Sequence, residues 1–158
     1  MSSVREFELS TGNLLMGRFT FVVVSVPEGW AVKIGDAPAD VNYTTIVDGV
    51  GWVLDGSSYY YVVNLVTGEV IDLEVHVKKG LRQKSHGNEN AAVIYVNGHT
   101  AILETRQVKR GLPRKPATKI TLTIPCQKTS RTIELVFTGK SGEELEELRK
   151  CFPSIRCH

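Results

Sequence analysis

The sequence predicts an α+β fold: a strongly curved, mainly antiparallel β-sheet of about nine or ten strands, with a C-terminal α-helix packed on it. Three observations predict it. Runs of alternating β-branched and aromatic residues recur along most of the chain. Short turn signals built on Pro, Gly, Asn-Gly and Asp-Gly separate them. A single amphipathic helical stripe follows the last strand, and strands followed by a late helix define the α+β class. A closed barrel and an open sheet fit this pattern equally well.

Taken in order, residues 14–26 form an apolar, β-branched run, with Pro27-Glu-Gly29 as the turn that leads into a short strand at 30–34. Residues 35–42 read as loop. Strands are then expected at 43–47, 51–54, 59–65 and 69–77, punctuated by Asp48-Gly49, Asp55-Gly56 and Thr67-Gly68. In the last of these, Ile71, Leu73, Val75 and Val77 should face a core, while Asp72, Glu74 and His76 face out. Residues 80–90 have no period and little apolar content, which marks a surface loop. A hairpin follows, with strands at 92–96 and 99–108 around Asn97-Gly98.

The C-terminal unit is the most sharply written. Ile120, Leu122 and Ile124 alternate with threonines, and Ile133, Leu135 and Phe137 alternate with Glu134 and Val136. The polar segment 126–131 joins them as an antiparallel hairpin with one face on a core and the other wetted. Pro125 should limit the first strand, having no amide hydrogen for a ladder. Ser141 and Glu144 have the spacing of a capping box. Leu145, Leu148 and Phe152 make the apolar stripe, acids precede Arg149 and Lys150 as the helix dipole favours, and Pro153 ends the helix. About twelve helical residues cover roughly 18 Å and a seven-residue strand covers roughly 23 Å. A helix folded back over the hairpin therefore delivers Cys157 and His158 to the Cys126 bend.

One domain spanning residues 1–158 is expected, since 158 residues with 42% hydrophobic content can bury a core without staples. No apolar run approaches a membrane span, and the first residues lack a basic-then-apolar signal pattern. A cytoplasmic location and no membrane association are the expectation. The net charge of +2 is unevenly placed: residues 78–119 hold ten Lys/Arg and two acids, a net of +8, and the remainder is −6. Such asymmetry predicts one electropositive side.

The segment from Gly17 to Trp30, GRFTFVVVSVPEGW, resembles the apolar strand followed by Pro, Gly and Trp that opens PsbP-like domains, named for an extrinsic subunit of photosystem II. Val96-Asn-Gly-His-Thr-Ala101 is similar to a mid-chain strand start of the same group, and the final strand followed by a helix also fits. The resemblance implies an antiparallel sheet flanked by helices and a role in binding or assembly, with no shared catalytic set and no site residue to carry over.

Candidate chemistry centres on the cysteines. Three thiols cannot all pair within one chain. Cys151, beside the helical stripe, reads as a small buried hydrophobe. Cys126, Cys157 and His158, with His99 or water as a fourth ligand, suit zinc by donor type, although the spacing matches no finger. A Cys126–Cys157 disulfide and unlinked thiols are the alternatives. The basic stretch offers Lys78, Lys79, Arg82, Lys84, Arg106, Lys109, Arg110, Arg114 and Lys115. If these lie at one edge they can neutralise several phosphates and bind nucleic acid without sequence preference, and a solvated loop surface explains them equally. Tyr59, Tyr60 and Tyr61 with Trp30 and Trp52 either line an apolar cavity or pack the core. His76, His86 and His99 have no triad spacing, and no phosphate loop, nucleophile elbow or carboxylate pair occurs. The sequence thus points to a small non-catalytic domain that binds a protein partner, with nucleic-acid binding as the alternative.

Overall fold

The computed structural model describes residues 4–13, 17–34, 56–81, 91–110, 113, 115–128, 130–140 and 142–157. The segments expected as strands at 43–47 and 51–54, Trp52 and His158 lie outside them. The fold is α+β, mostly antiparallel sheet. Nine strands occur among the described residues: β1 (Val4–Asn13), β2 (Gly17–Pro27), β3 (Trp30–Ile34), β4 (Gly56–Asn64), β5 (Val70–Lys79), β6 (Ala91–Val96), β7 (His99–Arg110), β8 (Lys115–Cys126) and β9 (Arg131–Gly139). A short helix α1 (Glu143–Arg149) and a 3-10 turn (Phe152–Ser154) follow.

Seven strands form one sheet in the order β3-β4-β5-β9-β8-β7-β6, and β1-β2 form a separate ribbon. The large sheet has two ends, β3 and β6, so it is open among the described residues. Every pairing is antiparallel. The step the local pattern could not supply is the insertion of the β8-β9 hairpin between β5 and β7, with Leu73 across from Phe137 and Leu103 across from Leu122. Neither was β1 anticipated: its Arg, Glu, Ser and Thr content hides the period-two signal carried by Phe7 and Leu9.

One face of the large sheet builds the core. Val62, Ile71, Leu73, Val75, Leu103, Ile120, Leu122, Ile124, Ile133, Leu135 and Phe137 are all buried there. The ribbon contributes Leu9, Val22, Val24 and Val26, and α1 with its following turn contributes Leu145, Leu148, Phe152 and Ile155 to the same cluster. Phe152 stacks on Phe137 with ring centroids 4.9 Å apart. The ribbon and the C-terminal segment thus make a second layer over a single sheet face.

The opposite face departs from the expected wetted surface. Thr121, Thr123, Ile102 and Val136 are buried on it. They occupy central rows in which Thr121 lies between Val136 and Glu104, and Thr123 between Glu134 and Ile102. Longer side chains on each side screen the short ones.

Prolines mark where ladders stop. Pro116 precedes the β8-β9 ladder, which begins at Thr118, and Pro125 lies beyond the β7-β8 ladder, which ends at Thr123. Each sits where one flank of β8 has no ladder bond to lose, so β8 runs one residue past Pro125 to Cys126. The β6-β7 turn is Asn97-Gly98, both with positive φ, as a tight hairpin with right-handed twist demands.

The helix is shorter than its sequence stripe. Its N-cap is Gly142, at φ 148°, with no side-chain cap bond, and Ser141 lies outside the described residues. The Glu144 carboxylate accepts from Asn64 Nδ2 at 2.7 Å and Thr67 Oγ1 at 3.4 Å. The turn after β4 holds that carboxylate through Asn64, which is itself fixed by its Oδ1 accepting from Val66 N and Thr67 N. The remaining distance to the bend is covered by the 3-10 turn, with Pro153 early in it.

Candidate functional site

The closing segment returns to the β8-β9 bend. Cys126 and Cys157 are joined there by a disulfide across 31 residues, with Cα atoms 6.3 Å apart. Both are sealed from solvent, at 0% and 4% exposure. Of the three thiol states open to the sequence, the structure holds the disulfide, so the two sulfurs are not available as thiolates in this form. Cys151 is a buried free thiol whose titration is pushed up, first by burial and then by the negative charge of Glu147.

A histidine does stand at the pair, and it is His99. One of its ring nitrogens and both sulfurs lie within 4.8 Å of one another. The placement follows from register: Ile102 is across from Thr123, and extending the antiparallel count by three brings His99 opposite Cys126. Arg131 is the cross-strand neighbour of Cys126 on the other side and is only 8% exposed. Burial lowers the tendency of its guanidinium to hold the proton. His158 lies outside the described residues.

From Cys157 the chain runs through a strap that fastens the ribbon. Arg156 and Val23 exchange backbone hydrogen bonds of 2.8 and 2.9 Å. Ser25 Oγ donates to the Ser154 carbonyl at 3.1 Å, and Arg156 forms an ion pair with Glu6 at 2.7 Å. Next to it Asn97 N donates to the Pro153 carbonyl at 2.9 Å, tying the β6-β7 turn to the same segment.

The basic residues do not share one edge. Lys78 and Lys79 pair with Thr132 and Arg131 at the Cys126 end of the sheet, whereas Lys109, Arg110 and Lys115 pair around the turn that joins β7 to β8. Ten residues of β8 separate the Lys115 row from the Pro125 row, roughly 33 Å of strand. Arg106, Lys109 and Lys115 are exposed and Lys78 is half-buried; Arg82, Lys84 and Arg114 lie outside the described residues. The premise of a single basic footprint is therefore not met by the described residues, and the physical reason is the length of the central strands.

The tyrosines divide as alternation requires. Tyr60 is buried on the core side, as is Trp30. Tyr59 and Tyr61 are on the other face, bordering a recess of about 330 Å³ with Asp72, Glu74, Val136 and Thr138. The hydroxyl of Tyr59 donates to Glu74. The recess carries two carboxylates in an otherwise largely apolar wall, while Tyr60 and Trp30 take the core-packing alternative.

At the other end of the sheet, β6 pairs with β7 on one side only among the described residues. Val93 and Tyr95 are 50% and 71% exposed along it. No helix among the described residues is long and apolar enough to cross a membrane.

No family model matches this sequence, and no curated protein matches it. A crystal structure of a protein from Bacteroides thetaiotaomicron VPI-5482 is similar in fold, with a TM-score of 0.56 at 10% sequence identity. The match covers 87% of this chain and 45% of that one, so the chain spans less than half of the neighbour's length. At that identity the likeness speaks to fold alone.

Proposed function

We propose that this is a non-catalytic binding domain that takes an extended, acidic segment of a partner protein along the outer edge of β6. The observation that carries the reading is that edge: a strand partnered on one side, with Val93 and Tyr95 facing solvent. Unpaired strand edges are templates for an added strand, whose backbone supplies the affinity and whose alternate side chains supply the selectivity. Sign of charge selects the occupant. β6 itself carries no charged side chain, and the exposed cations nearest to it, Arg106 and Lys109 of β7, lie beyond its Ala91 end, so an added strand with acidic residues is favoured there over a basic one. The PsbP-like resemblance of residues 17–30 supports a binding or assembly role. A cytoplasmic location belongs to the same proposal, and in that compartment a disulfide is a bond that cycles.

The test is fluorescence anisotropy at low salt with a labelled peptide of alternating Glu and Val, its Lys-Val counterpart and an arbitrary DNA duplex. The Glu-Val peptide is expected to bind, to slow amide exchange across β6, and to lose roughly tenfold in affinity, about 1.4 kcal/mol, with Tyr95→Glu. Duplex binding without peptide binding overturns the reading in favour of phosphate contact by the basic residues. Concentration-dependent dimerisation through β6 overturns it in favour of self-assembly.

A further inference from the structure

We infer that reduction of the Cys126–Cys157 disulfide converts the bend of the β8-β9 hairpin into a zinc site with Cys126, Cys157 and His99 as its protein ligands. This goes beyond the β6 reading and does not depend on it, because the strap and the β6 edge use different residues.

Three observations support the assignment. The two sulfurs and a His99 ring nitrogen already lie within 4.8 Å of one another. Zinc holds sulfur at about 2.3 Å and imidazole nitrogen at about 2.0–2.1 Å in a tetrahedron, which sets two sulfurs about 3.8 Å apart. With Cα atoms separated by 6.3 Å, the side chains reach that spacing by rotation about their own bonds. The donor set of two thiolates and one imidazole is the kind that zinc prefers over hard oxygen-seeking cations. It also leaves a fourth position for water or an incoming ligand, and the half-buried His99 gives that position its route to solvent.

The charge environment agrees. Two thiolates neutralise the charge of a divalent zinc, and the cross-strand neighbour of Cys126 is the buried Arg131, not an acid. Neither acidic residue of the recess lies at this end of the core face.

The chemical step balances with a dithiol as reductant. One of its thiolates attacks a sulfur of the pair, the sulfur–sulfur bond breaks, and a mixed disulfide forms. The reductant's second thiolate then closes its own disulfide and releases the protein sulfur. Two electrons and two protons pass to the protein, leaving two cysteine thiols, and zinc binding displaces those two protons. Oxidation reverses the sequence and expels the metal. Access requires the strap to lift, which opens the two Val23–Arg156 backbone bonds together with the Ser25–Ser154 bond and the Arg156–Glu6 ion pair.

The test compares oxidised protein with protein reduced by a phosphine under anaerobic conditions. Each is titrated with zinc against a chromophoric chelator, and cobalt(II) serves as a spectroscopic substitute. One zinc per chain is expected for the reduced form, with thiolate-to-cobalt charge-transfer bands, and at least a hundredfold weaker binding for the oxidised form. His99→Ala should weaken binding by roughly tenfold or more, while its disulfide still forms on reoxidation, which shows that the chain folds. Cys151→Ser should leave the titration unchanged. Equal affinity in the two redox forms, an unaltered titration in His99→Ala, or loss of the cobalt bands in Cys151→Ser overturns the assignment.

Discussion

Asn64 and Cys151 show what a single residue decides in this chain and how far it can be read. Asn64 looks like an ordinary turn residue, yet its oxygen closes the turn and its amide nitrogen docks the helix through Glu144. Only the turn half of that role is written locally, since the docking partner is 80 residues away. Cys151 was legible as a buried apolar thiol from its place beside the stripe, and its burial has a thermodynamic consequence. Because burial and Glu147 raise the folded thiol's titration above its ordinary value near 9, the unfolded thiol ionises first. The folded state then binds more protons than the unfolded one, so this contribution to stability is intact below the ordinary thiol value and declines as pH rises through the folded one. Urea midpoints measured from neutral pH into the alkaline range should fall more steeply for the native chain than for Cys151→Ala. Parallel curves would mean that the thiol is solvated.

Hairpins were legible at the scale of elements because each is a local object. Alternation and turn chemistry within about twenty residues specify β6-β7 and β8-β9, and the geometry of a helix folding back brings Cys157 to Cys126. His99 was visible only as an alternative to water for the fourth ligand, because its place beside Cys126 depends on the β7-β8 register, which local alternation does not specify. Gly142 is the N-cap of the helix, and the Glu144 carboxylate is held by the distant Asn64. The closed loop of 31 residues should stabilise the fold by roughly 3–4 kcal/mol through the lost freedom of the unfolded chain. Cys157→Ser, measured by urea denaturation in a chelating buffer, is expected to lose about that much. Hydrogen exchange at Val23 should accelerate before exchange at Leu73, since the strap is released while the large sheet stays paired.

The whole molecule is organised by pairings that the order of the chain does not announce. β5 lies against β9, with Leu73 across from Phe137, and the ribbon is bonded at Val23 to the last residues of the chain. Closing such long loops before contacts compensate for the lost entropy makes folding slow. Stopped-flow refolding followed by tryptophan fluorescence should show a main phase in the millisecond-to-second range, and a submillisecond main phase would contradict this topology. The class of fold was readable because the periodicity is strong throughout. The order of strands was not, because a β-branched core strand pairs equally well with several others of its kind.

The strap also determines how the molecule carries force. The ribbon is zipped to the strap at Val23, and one residue further on the strap is covalently bonded to the bend of the central hairpin. Tension applied to β1 therefore reaches the large sheet by two routes, along the chain from β2 into β3 and across a few hydrogen bonds into the sulfur–sulfur linkage of the central hairpin. A pulling experiment should find the ribbon peeling away while the oxidised chain keeps its end riveted to the sheet; a reducing agent removes that rivet and lets the same pull draw the tail out with it.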